Sequence, residues 1–247
     1  HWYPHSFPTR RSSDLDRFCD LVMKGGITSG VVYPRAIERL SHHYRFKNIG
    51  GTSAGAIAAA VTAAAEYQRR HTGSRAGFDL LRALPNQLQA EVAPGQRKLL
   101  SLFQPQPATR RLFSVLVNAL NSGSTNQRIL AMVTGAIKAY WQGAAVAAVL
   151  ALLAGMTSGL LAALLLLLVA GVGAIGWMVF QDVTGPVVDN GFGLCTGLGN
   201  DPQHEALTPW LHSLIQRAAG RGPDDPPLTF GELWDAPGHP PELAPLP

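Results

Sequence analysis

The 247 residues carry 20 Lys and Arg against 16 Asp and Glu, a formal charge of +4, and only 15% of the side chains are charged while 47% are hydrophobic. Mild basicity without aromatic–basic interleaving argues against a nucleic-acid partner. Two cysteines, Cys19 and Cys195, make neither a disulfide framework nor a metal cluster, so the chain is expected to work in a reducing compartment with no metal and no cofactor.

Residues 1–15 contain HSFPTRRSSDL, which lacks the apolar centre of a signal peptide. Its back-translation resembles a common short-read sequencing adapter, so residues 1–15 are expected to be an assembly artefact and the biology to begin near Asp16. Residues 18–23 then read as a strand, Gly25-Gly26…Gly30 as a glycine loop, and residues 31–40 as a helix. A second strand is expected over residues 44–49, where aromatic or apolar positions alternate with polar ones up to Gly50-Gly51. From Ala54 to Arg70 the residues are helix formers without proline.

The corner between that strand and that helix is Gly51-Thr52-Ser53-Ala54-Gly55, a G-x-S-x-G. A nucleophile on a strained strand-to-helix turn needs neighbours with little side chain, and its place at a helix N-terminus favours developing negative charge. A simple N-cap is the competing reading of Ser53. Glycine amides in the earlier loop suit an oxyanion hole, since no side chain blocks their approach to a developing alkoxide. The dinucleotide pattern fails at Ile27, and a P-loop fails because Val31-Val32 follow Gly30.

These two glycine clusters, one helix apart, resemble the patatin-like phospholipase family, and GFGLCTG and PLTFGELW further on resemble segments of a bacterial membrane-associated branch of it. Gly25, Gly26 and Gly30 match the family's oxyanion loop, and Gly51, Ser53 and Gly55 match its nucleophile elbow. Lys24, Ile27 and Ser29 depart from the loop pattern. The resemblance implies an α/β, three-layer fold with a parallel-type sheet, and a Ser–Asp dyad in which a carboxylate takes the serine proton directly. The family's Asp-Gly-Gly/Ala tripeptide does not occur among these residues; Asp189-Asn190-Gly191 is the nearest imitation, with an Asx-type turn as its other reading. An α/β-hydrolase triad would instead recruit His204, His212 or His239, and an inactive membrane-anchored scaffold is the non-enzymatic alternative. The Pro-rich end, DAPGHPPELAPLP, leads to the expectation of a truncated catalytic domain with an incomplete sheet.

Residues 143–180 contain no charge. One helix of that length would run about 57 Å, against a hydrocarbon core of about 30 Å. Two spans turning at residues 155–159 fit better, with Tyr140, Trp141 and Trp177 as interfacial aromatics. The acidic residues after Phe180 would on their own also permit a single span with the C-terminus outside, and a buried helical hairpin in a soluble core is the non-membrane alternative. The preceding flank holds Arg97, Lys98, Arg110, Arg111, Arg128 and Lys138 with no acid, which places it in the cytoplasm. The expected organisation is a catalytic domain over residues 16–138 and 182–247, split by a transmembrane hairpin at residues 139–181. The catalytic part of this multi-pass membrane protein would face the cytoplasm, with membrane lipid as substrate.

Overall fold

The computed structural model describes residues 17–26, 29–93, 96–120, 123–199 and 204–237. The expected artefact at 1–15, Ile27, His239 and most of the Pro-rich end lie outside them. Two compact units make up the chain: His1–Ser101 with Thr208–Pro247, and Leu102–Leu207.

In the first unit, β1 (Phe18–Met23), α1 (Ser29–Ser41), β2 (Arg45–Gly51) and α2 (Ala54–Thr72) follow in the order a parallel crossover requires. β1 and β2 pair in parallel from Phe18 opposite Arg45 to Met23 opposite Gly51, with one irregularity between Cys19 and Leu21. Alternation decides which face is covered. Met23 and Phe46 point into the core, whereas Asp20, Val22 and Asn48 are exposed, so among the described residues the sheet is packed on one face. α2 lies across both strands, and α1 and α3 (Ala76–Gln89) pack beside it. The described fold is therefore an α/β unit of two layers with a small parallel sheet, where a three-layer arrangement was expected. β3 (Glu91–Ala93) and β4 (Gln96–Arg97) form a separate antiparallel ribbon, followed by α4 (Lys98–Ser101). α10 (Leu207–Ala218) and α11 (Phe230–Trp234) close the unit.

The core of this unit carries one charged assembly. Arg69 of α2 is buried among Phe46 and Phe78, donates to the carbonyls of Ser41 (2.7 Å) and Tyr44 (2.9 Å), and pairs with Glu66. Arg70 adds a bond to the Phe46 carbonyl at 2.7 Å. A buried guanidinium is costly unless its donors are satisfied; Nη1 and Nη2 are bonded here, while the buried Nε has no partner among the described residues, and the bonds made tie α2 to the turn between α1 and β2.

The second unit is helical. α5 (Arg110–Leu120) packs on α6 (Thr125–Ala139), where Gly135 lets Val115 and Asn118 approach. α7 (Trp141–Ser158) and α8 (Leu160–Thr184) form a hairpin, followed by α9 (Pro186–Asp189). The hairpin seam is built from small residues. Gly143 faces Ala174, Ala147 faces Gly171 and Gly155 faces Ala163, so small residues line one face of each helix and let the two approach closely. The reversal is confined to Gly159 (φ 87). α7 runs through residues 155–158, where the turn was expected to begin: Gly155 faces Ala163 of α8 and so belongs to the seam, and the Thr157 hydroxyl is satisfied by the Ala154 carbonyl at 3.2 Å within the helix. Both helices are long and apolar enough to cross a membrane, and the apolar stretch of α8 buries none of its residues. Tyr140 does not serve as an exposed anchor: it is buried, and its hydroxyl donates to Asp182 at 2.8 Å. Trp141 and Trp177 are exposed. The GFGLCTG segment is held by a bridge between Cys195 and Pro105 and by Thr109, whose hydroxyl donates to the Leu194 carbonyl at 2.6 Å.

Candidate active site

Ser53 stands between the end of β2 and the start of α2 at φ 54, ψ −128, a backbone region that a residue with a Cβ rarely enters. It occupies the N-cap position, yet its side chain makes no capping hydrogen bond. That disposes of the capping explanation: the hydroxyl is exposed on a strained corner and does nothing for the helix beneath it.

The neighbours explain how such a corner closes. A Cβ on Gly51 would lie 2.3 Å from the Gly55 carbonyl oxygen, and one on Gly55 would lie 2.3 Å from that of Met23. Real Cβ atoms do not approach backbone so closely, so both glycines are required for α2 to start directly over the end of β1. Thr52 N–H donates to the Met23 carbonyl at 3.0 Å and Gly55 N–H to that of Thr52 at 2.9 Å, which fixes the turn.

The glycine loop comes up against this corner. A Cβ on Gly25 would meet the Ser53 Cβ at 2.6 Å and its Oγ at 3.3 Å. The Gly25 N–H donates to Thr52 Oγ1 at 3.2 Å, and the carbonyl of Lys24 accepts from the Tyr33 hydroxyl at 2.9 Å. Gly26 follows in the loop. Gly30 does not: α1 begins at Ser29, two residues earlier than expected, so Gly30 sits in its first turn.

No carboxylate among the described residues hydrogen-bonds the Ser53 hydroxyl. Asp20 accepts from Asn48, Glu66 from Arg69 and Arg70, and Glu38 pairs with His42. Asp189 belongs to the second unit, exposed at the end of α9. The residues after it form a tight turn, with Asn190 Nδ2 donating to the Gly193 carbonyl at 2.6 Å and Gly191 and Phe192 both at positive φ. Of the histidines, His212 is exposed on α10 and His204 falls in the second unit. No group of three or more metal-ligating side chains occurs among the described residues. Burial pushes both the Cys19 and Cys195 thiols above their ordinary value.

A serine on a strained strand-to-helix elbow, faced by a glycine loop from the neighbouring strand, has the geometry that serine hydrolases use for a nucleophile. Residues 21–127 match the model of the Patatin-like phospholipase family, so the chain carries a patatin-like phospholipase domain, and this family acts on lipid esters. Over 244 residues the chain is 36% identical to the "RpoH suppressor" of Rhizobium meliloti (strain 1021), an alignment that covers 92% of this chain and 37% of that protein. The chain thus spans well under half the length of this relative. No solved structure matches it significantly.

Proposed function

We propose that the protein containing this chain is a membrane-bound lipid acyl hydrolase with Ser53 as its nucleophile. The observation that carries the reading is the backbone of Ser53: φ 54 on a residue that neither caps a helix nor packs in a core is strain with no structural return. Such strain is characteristic of functional sites. Ser53 Oγ attacks the ester carbonyl, a glycine amide of the loop, that of Gly26 before those of Gly25 and Gly30, receives the oxyanion, the alcohol leaves with the proton taken from the serine, and water then releases the acyl group. Gly51 and Gly55 support the elbow. The base in this reading is an aspartate, which takes the serine proton without a histidine. Phospholipid, lysolipid and neutral acyl ester all fit this chemistry.

The α7–α8 hairpin is the membrane anchor in this proposal. It is supported by the exposed apolar surface of both helices and by an acid-free flank from Arg97 to Lys138, which favours a cytoplasmic catalytic part. A lipophilic fluorophosphonate probe tests the site. The longer protein should label in membranes and its Ser53→Ala form should not; equal labelling of the two removes Ser53 from the mechanism. Since no described carboxylate reaches Ser53, the 247-residue chain alone should hydrolyse a short-chain nitrophenyl ester no faster than its Ser53→Ala form. A Ser53-dependent rate would overturn that expectation and make Asp189 the next residue to substitute.

A further inference from the structure

Between α6 and the α7–α8 hairpin lies a cleft of about 780 Å³, lined wholly by apolar residues that include Val133, Ile137, Ala147, Leu168, Val172 and Gly176. Ligand-sized cavities run from about 300 to 1,000 Å³. Its α8 wall extends from Leu164 to Gly176, a rise of about 18 Å. That is close to one leaflet of a hydrocarbon core about 30 Å thick. α6 itself is too short to span, and its stripe of Ile129, Leu130, Val133 and Ile137 is exposed. Where α6 passes into α7, the cleft ends at a charged corner. Lys138 follows the lining residue Ile137, and the Arg111 guanidinium stands 5.9 Å from the Tyr140 ring. Asp182 accepts from the Tyr140 hydroxyl there, and its negative charge offsets one of the two cations.

We propose that this cleft seats one acyl chain of an anionic membrane lipid, with Arg111 and Lys138 taking the headgroup phosphate, as a bound lipid of the hairpin and not as the substrate of Ser53. The inference rests on the membrane reading of the hairpin given above. A groove lined by apolar residues selects a hydrocarbon chain, one leaflet of depth selects a single chain, and Arg111 and Lys138 against the one charge of Asp182 leave a net positive end that selects negative charge.

Two glycines on α8 supply a matched test. A Cβ on Gly176 or on Gly173 meets nothing within 4 Å, but Gly176 lines the cleft and Gly173 does not. The protein is extracted in mild detergent, offered palmitoyl-oleoyl phosphatidylglycerol and phosphatidylcholine in equal amounts, and read by native mass spectrometry. Wild type should hold one lipid with phosphatidylglycerol preferred. Gly176→Leu should lose it and Gly173→Leu should keep it. Arg111→Gln and Lys138→Gln should each lower the preference about fivefold, the effect of one cation at an anionic surface. Equal retention of the two lipids, or undiminished lipid in Gly176→Leu, overturns the proposal while leaving the hairpin in the membrane. Loss of self-association in Gly176→Leu with unchanged lipid gives the cleft to a second copy, which also overturns it. Release of the protein by carbonate washing sinks the membrane reading itself.

Discussion

Replacing Ser53 by glycine should make the protein more stable than replacing it by alanine. At φ 54, ψ −128 any residue with a Cβ is strained, at a cost of order 1–3 kcal/mol. Glycine enters this region freely but loses more chain entropy on folding, about 0.5–1 kcal/mol. The difference favours glycine by about 1 kcal/mol. Alanine is the right reference because both variants delete the hydroxyl, and that hydroxyl is exposed and makes no capping bond whose loss would confuse the comparison. For a chain of this size about 1 kcal/mol corresponds to a rise of about 2–4 °C in Tm. Thermal unfolding of the two variants in the same detergent reads it, and neither should retain esterase activity in the longer protein. If Ser53→Gly melts at or below Ser53→Ala, the elbow is not strained and the argument for a nucleophile held against its own preference fails.

Other consequences can be measured on the same preparation. Gly55→Ala puts a methyl 2.3 Å from the Met23 carbonyl oxygen, so α2 must lift off β1; a loss of about 3 kcal/mol or more is expected, seen as collapse of folded yield. Arg69→Ala should cost about 3 kcal/mol in thermal or denaturant unfolding, because it leaves the buried Glu66 with Arg70 alone and the carbonyls of Ser41 and Tyr44 without their donor. A loss below 1 kcal/mol would mean water replaces the guanidinium freely. The Arg221 guanidinium, with further bonds from Thr229, holds the Glu232 carboxyl below its ordinary value, at about 2. A depressed carboxylate stabilises at pH above its unfolded value, and that support is lost as pH falls through the folded one. The cap of α11 should therefore loosen between pH ~4.5 and ~2, reported by the fluorine signal of a labelled Trp234, and Glu232→Gln should abolish the step. Gly26→Val in the longer protein should lower kcat by about 10²–10³; a rise in KM alone would make the loop a substrate contact.

Much of the site was legible because its constraints are local. Residues 18–23 form an apolar run broken only by Asp20 and end just before Gly25-Gly26, and β1 occupies Phe18–Met23. Gly51, Ser53 and Gly55 are spaced by the geometry of one tight turn, so their pattern needs no knowledge of the rest of the fold. Long-range features left weaker marks. β3 and β4 are three and two residues long, too short for alternation to register. Arg69 and Glu66 stand three apart on a helix, the spacing of an ordinary solvated pair; only the arrival of Phe46 and Phe78 from other elements buries them. α11 did carry a signal. Thr229 and Glu232 have the spacing of a capping box, and the structure forms both of its bonds, but the prolines before them make the whole segment read as loop.

Within the glycine loop the residues are not equivalent, and the hydrogen bonds separate them. The Lys24 carbonyl and the Gly25 N–H belong to one peptide group. Its oxygen accepts from the Tyr33 hydroxyl and its nitrogen donates to Thr52 Oγ1, so α1 holds one end and the elbow holds the other. A planar peptide pinned at both ends cannot also turn its N–H toward an oxyanion. Gly25 is therefore best read as the residue that lets the loop touch Ser53, its missing Cβ making the 2.6 Å approach possible. The next amide, that of Gly26, is not held in this way, and in our reading it is the first candidate to meet the charge that develops beside Ser53. The G-x-S-x-G pattern places the hydroxyl, while Tyr33 and Thr52, which no glycine pattern picks out, orient the peptide that leads to the Gly26 amide.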